Sequence, residues 1–66
     1  MKTEIFESDA FTGRKGNRLG EFDSDYRFER NDEFFLRGGA KYRVIMVRMD
    51  IADGGAMHRE LHVMKL

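Results

Sequence analysis

Two short stretches hold the residue types that do chemistry. HRELH, at 58–62, sets two histidines around a glutamate, and GRKG, at 13–16, sets two cations between glycines. A zinc-binding HExxH helix carries its catalytic glutamate directly after the first histidine, whereas here Glu60 comes one position later, so that base is missing. On a strand, His58, Glu60 and His62 share a face, but the histidines then lie about 13 Å apart, too far to grip one ion. His58 with Glu60 would supply two ligands of a site, and on a helix His58 and His62 would stand one turn apart. The expectation is a solvated polar face with Arg48 and Asp50 opposite, holding no metal and no cofactor.

A phosphate-gripping GxxG needs glycines for close backbone approach and helix N-termini that aim amides at the anion. No helix is evident on either side of Gly13–Gly16. A flexible basic loop is expected instead, whose Arg14, Lys15 and Arg18 are placed to touch phosphates or an acidic protein patch. Nucleophilic catalysis has little to work with. Ser8 and Ser24 are the two serines, cysteine is absent, and no nucleophile elbow occurs. A chain of 66 residues also struggles to build a water-excluding pocket. These observations point away from an enzyme.

The elements that position these residues follow from composition and pattern. One small domain, 1–66, is expected, of a size that buries only about 60% of the surface its unfolded chain exposes. The 12 basic and 12 acidic residues cancel, so no global field draws the chain to nucleic acid or membrane. The halves differ: residues 1–33 carry nine acids against six bases and residues 34–66 the reverse balance, minus three against plus three. Packing of the halves against each other is expected to neutralise much of this. No apolar run approaches the roughly 18 residues that span a bilayer, and MKTEIFESD lacks the apolar core of a signal peptide, so a cytoplasmic protein with no membrane partner is expected.

KYRVIMVRMDI, Lys41–Ile51, is rich in β-branched and aromatic residues and reads as a long strand. Asp53, Gly54 and Gly55 suit a three-residue hairpin loop with glycine at positive φ. Ala52 then faces Ala56, followed by Ile51 with Met57, Asp50 with His58, Met49 with Arg59, Arg48 with Glu60 and Val47 with Leu61. Carried on, this register pairs Met46 with His62, Ile45 with Val63 and Val44 with Met64. It puts Ile45, Val47, Met49, Ile51, Met57, Leu61 and Val63 on one face. The alternative for 56–66 is a C-terminal helix, since Met57, Leu61 and Met64 recur at helical spacing.

Upstream, Asn31–Asp32 and Gly38–Gly39 are expected to turn a meander in which DYRFER is a strand and Phe28, Phe35 and Tyr42 form an aromatic row. TEIFE supplies an opening strand, and residues 12–25 are the loosest. The fold expected is all-β or β-rich, a small antiparallel meander or barrel of about five strands with SH3-like or OB-like architecture. Its second face, with Phe28, Phe35, Tyr42, Val44, Met46, Met64 and Leu66, also carries apolar area, and whatever stays uncovered is a docking surface.

Function is therefore expected to be binding without chemistry: a small module that docks on a larger protein or nucleoprotein, or on a second copy of itself. Inhibitors, assembly factors and accessory proteins of phages and mobile elements have this make-up. The expected site is the acidic stretch 21–33, with Glu21, Asp23, Asp25, Glu29, Tyr26 and Phe28 facing a basic surface on the partner. The alternative is a small barrel binding single-stranded nucleic acid through Arg14, Lys15 and Arg18, with Tyr26, Phe28, Phe35 and Tyr42 interleaved with Arg27, Arg37 and Arg43.

Overall fold

The computed structural model describes residues 1–9, 11, 12, 14–36 and 38–66. Five strands form one sheet: β1 (Lys2–Ser8), β2 (Lys15–Asp23), β3 (Glu33–Phe35), β4 (Lys41–Ile51) and β5 (Met57–Lys65). The chain is all-β, and its sheet, in the order β2-β1-β5-β4-β3, curls into a half-barrel. Residues 57–65 are strand, so the C-terminal helix is not formed. The reason is position: β5 is the central strand, with β1 on one side and β4 on the other, and its ladders satisfy the backbone along both edges.

The sheet is mixed, not a plain antiparallel meander. β1 runs parallel to β5, aligning Thr3 with Arg59, Glu4 with Glu60, Ile5 with Leu61 and Phe6 with His62. The other neighbours are antiparallel. β2 and β3 therefore lie at opposite edges, and the connection between them, 24–32, must span the sheet. DYRFER is this strap and not a strand. Consequently the expected aromatic row is rearranged: Phe34, and not Phe35, sits opposite Tyr42, with their rings stacked at 6.0 Å. Phe28 reaches the core from the strap, edge-on to Phe34 and Phe22.

The hairpin register holds from Ala52 back to Met46, including Arg48 opposite Glu60. Its turn closes through the Ala52 amide donating to the Ala56 carbonyl at 2.8 Å, with Gly54 and Gly55 at φ of 90° and 89°. The register then shifts between Val44 and Met46, so that Val44, and not Ile45, opposes Val63. A bulge inserts one residue and moves the rest of the strand to the opposite side of the sheet. Tyr42 and Val44 thereby join Val47, Leu61 and Val63 on a single face. Two apolar stripes that straight strands would hold on opposite faces merge into one core of Ile5, Tyr42, Val44, Leu61 and Val63, with Phe22, Phe28 and Phe34 packed against it.

Residues 15–23 are strand, so most of the stretch expected to be loose is in the sheet. β2 is bulged against β1, with register shifts between Ile5 and Phe6 and between Phe6 and Ser8. At the second shift Gly16 lies against β1 so closely that a Cβ there would run into the Glu7 carbonyl oxygen. Glycine at 16 is thus explained by backbone approach within the ladder. Gly13, the other half of the GxxG spacing, and Arg37 lie outside the described residues.

Candidate functional site

The two faces of the sheet differ in chemistry, and each holds a candidate site. Alternation from the core residues puts Glu4, Phe6, His58, Glu60 and His62 on the face away from the core, with Arg48 and Asp50 beside them. β5, with a neighbour on each side, leaves Glu60 and His62 buried there. Lys15 reaches over from β2, donating from Nζ to Glu60 Oε2 at 3.0 Å and covering the Phe6 ring at 3.9 Å. Arg18 donates from Nε to Glu4 Oε2 at 2.8 Å. His62 Nε2 stands 3.1 Å from Glu60 Oε1. His58 Nε2 stands 2.5 Å from Glu4 Oε1 but outside hydrogen-bonding geometry.

These contacts set the carboxyl groups. The Arg18 hydrogen bond holds Glu4 below its ordinary range against the opposing effect of desolvation. Burial pushes Glu60 up, but the hydrogen bonds from Lys15 and His62 together with the Lys15 and Arg48 charges outweigh it, and the net direction is down. Glu4, His58 and Glu60 bring ligand atoms within 4.8 Å of one another, a third donor that the parallel β1–β5 register adds to the His58 and Glu60 pair. The outer oxygen of each carboxylate already meets a cation of the chain, Arg18 or Lys15. A divalent ion would have to enter against both positive charges.

On the core face the strap 24–32 covers only part of the sheet. Arg59, buried on β5, holds it down: Nη1 donates to the Tyr26 carbonyl at 2.6 Å and Nη2 to the Ser24 carbonyl at 3.3 Å. Its Nε donates to the Thr3 hydroxyl at 3.0 Å, and the guanidinium lies 5.2 Å from the Phe28 ring. Beyond the strap the β4–β5 hairpin continues with its core-face residues open to solvent, Met49, Ile51 and Met57 among them, and Ile51 is 68% exposed. A shallow pocket of about 340 Å³ joins the two, lined by Asp25, Arg27 and Phe28 of the strap and by Val47, Met49 and Arg59 of the hairpin.

The expected acidic site is distributed unevenly over this arrangement. Glu21 is drawn away from it, between Lys2 at 3.4 Å and Arg18 at 2.5 Å. Asp23 and Asp25 lie 2.7 Å and 3.1 Å from the Met1 amine, and this contact lowers Asp23. Both stay largely exposed, as does Glu29, which is 3.9 Å from Arg27. Tyr26 and Phe28 meet edge-on at 4.7 Å in the strap itself. Of these, Asp25 and Phe28, together with Arg27, line the pocket beside the open hairpin face.

The expected basic loop is divided. Arg14 is exposed, while Lys15 and Arg18 are held by Glu60 and Glu4 on the polar face. Sequence reasoning missed Arg59 and Glu4. Arg59 did carry a signal, because the core-face alternation Met57, Arg59, Leu61, Val63 contains one charge that has to be buried. Glu4 had none, since its place beside Glu60 and His58 depends on a parallel pairing between the two ends of the chain.

Fold and site together define a small all-β half-barrel with a polar face centred on buried Glu60 and His62 and an apolar face left partly open. No family model matches the chain, and comparison with curated proteins and with solved structures returns no match.

Proposed function

We propose that this chain is a protein-binding module that acts by docking and not by chemistry. The observation that carries this reading is the continuation of the apolar core face past its own cover: Met49, Ile51 and Met57 extend the row begun by Val44, Val47 and Leu61 and stay exposed, with Met49 at the pocket beside the strap and Ile51 and Met57 beyond it. Contiguous exposed apolar surface in a small domain marks an interaction site. Asp25 and Arg27 of the strap stand at its edge, and the exposed strap acids Asp23, Asp25 and Glu29 suit a partner presenting apolar side chains within a basic surface. A nucleoprotein site that the module blocks or joins meets that description.

The nucleic-acid alternative draws less support. It needs Arg14, Lys15 and Arg18 together, and two of the three are engaged in ion pairs on the polar face. The test is affinity capture from native lysate with and without nuclease, comparing the natural chain with Met49→Lys/Ile51→Lys. A stoichiometric protein that survives nuclease and is lost with the double variant supports the docking reading. Capture that vanishes with nuclease and ignores the double variant refutes it.

A further inference from the structure

Among the described residues, the outer edge of β4 is unpaired from Met46 to Ile51. β3 pairs only with Lys41, Tyr42 and Arg43, and the strap extends that cover by one residue, through Asn31 donating to the Val44 carbonyl and Val44 donating to the Asp32 carbonyl. The ladder fixes which groups point outward. Ala52 bonds inward to Ala56, so Asp50, Arg48 and Met46 bond inward to β5, while the amides and carbonyls of Ile51, Met49 and Val47 face the open edge.

An unpaired strand edge is a template for another strand, and natural edges are usually guarded by charge. Here the guard is Arg48 and Asp50, opposite charges two residues apart on the polar face that meet within the chain at 3.3 Å, Nε to Oδ1, and stay about half exposed. Such a pair repels nothing that carries its own inverse. We propose that β4 pairs antiparallel with β4 of a second copy of this chain, around a two-fold axis at Met49.

In that register Met49 faces Met49 and Val47 faces Ile51 as hydrogen-bonded pairs, which is what their outward amides and carbonyls require. Arg48 of each copy then faces Asp50 of the other at a non-hydrogen-bonded position, where side chains approach most closely. Moving the axis by one residue sets Arg48 against Arg48 or Asp50 against Asp50, which like-charge repulsion disfavours. Moving it to Val47 drives the second strand toward the strap and β3. The pairing is isologous and closes on itself. It also joins the two open rows Val47, Met49 and Ile51 into one apolar surface across the axis.

This goes beyond the docking reading and does not depend on it, because Arg48 and Asp50 lie on the opposite face from the open apolar residues. The test is solution mass by light scattering over a concentration series. The natural chain is expected to shift from monomer to dimer as concentration rises. Arg48→Glu alone and Asp50→Lys alone are each expected to stay monomeric, because each sets like charges against each other across the axis. An equimolar mixture of the two is expected to recover the dimer, since the introduced carboxylate of one copy then meets the introduced ammonium of the other. Met49→Pro, which removes an amide directed at solvent in the monomer, is expected to abolish the dimer while leaving circular dichroism unchanged. A natural chain that stays monomeric throughout, single variants that dimerise as the natural chain does, or a mixture that fails to recover the dimer would each overturn the proposal.

Discussion

Arg59 fixes the strap through Tyr26: its Nη1 donates to the Tyr26 carbonyl at 2.6 Å from a position buried in the central strand. A guanidinium taken out of water needs acceptors for its donors, and here carbonyls of the strap and the Thr3 hydroxyl supply them. The same contact closes the core, because the strap carries Phe28.

Arg59→Met should therefore release the strap while leaving the sheet paired. The expected cost is about 1–3 kcal/mol from lost charge-assisted hydrogen bonds. Trypsin should cut faster at Arg27 and Arg30 than in the natural chain. Arg59→Lys is expected to rescue poorly, since one ammonium cannot reach Thr3, Ser24 and Tyr26 together. Unchanged cleavage in Arg59→Met would mean that the aromatic contacts alone hold the strap.

Gly16 and Gly20 should respond differently to the same substitution. Gly16→Ala pushes a methyl into the Glu7 carbonyl oxygen and is expected to cost about 1–3 kcal/mol. At roughly 4–8 °C per kcal/mol for a domain of this size, the melting curve should move plainly. Gly20→Ala meets no atom within 4 Å and should stay within about 0.5 kcal/mol of the natural chain. Equal effects would remove the close-approach explanation of Gly16.

Acid should weaken the fold through its paired carboxylates. Glu4, Glu33 and Glu60 are each held below the ordinary glutamate value, Glu33 by hydrogen bonds from Lys41 and then Arg43. A depressed folded-state value means that the unfolded chain takes up protons first as pH falls. The stabilisation is complete above the unfolded value of about 4.3 and disappears as pH drops through the lower folded values. Denaturant midpoints measured from pH 7 to pH 3 should fall at the acid end, and Glu60→Gln should flatten part of that fall while lowering stability at pH 7. A midpoint constant down to pH 3 would contradict these pairings.

The strap's acids and the hairpin's apolar residues should be separable in partner capture. Asp25→Lys/Glu29→Lys is expected to weaken capture and its rate at low salt, with the loss shrinking as salt rises. Met49→Lys should weaken it at every salt concentration. Arg14→Ala is the clean probe for nucleic acid, since Lys15 and Arg18 also hold the polar face and their loss would cost stability as well. An oligonucleotide affinity whose salt dependence flattens in Arg14→Ala would favour the alternative.

The sequence by itself determined whatever depends on neighbours along the chain. The β4–β5 turn, its glycines at positive φ and the pairing from Ala52 to Met46 follow from period-two alternation and from Arg48 meeting Glu60. The all-β class follows in the same way, whereas the five strands are not the expected five: β2 replaces DYRFER. Tertiary structure decided the rest. The bulge between Val44 and Met46 is favoured because it gathers Tyr42 and Val44 onto the face that holds Leu61 and Val63, a gain that no local pattern registers. The parallel β1–β5 pairing brings Glu4 to Glu60 and His58 from the far end of the chain. It also leaves β2 and β3 on opposite edges, and so turns DYRFER, whose alternation reads as strand, into a strap. Local propensity favours extended backbone equally in both roles; burial of Phe28 and the acceptors required by Arg59 choose between them.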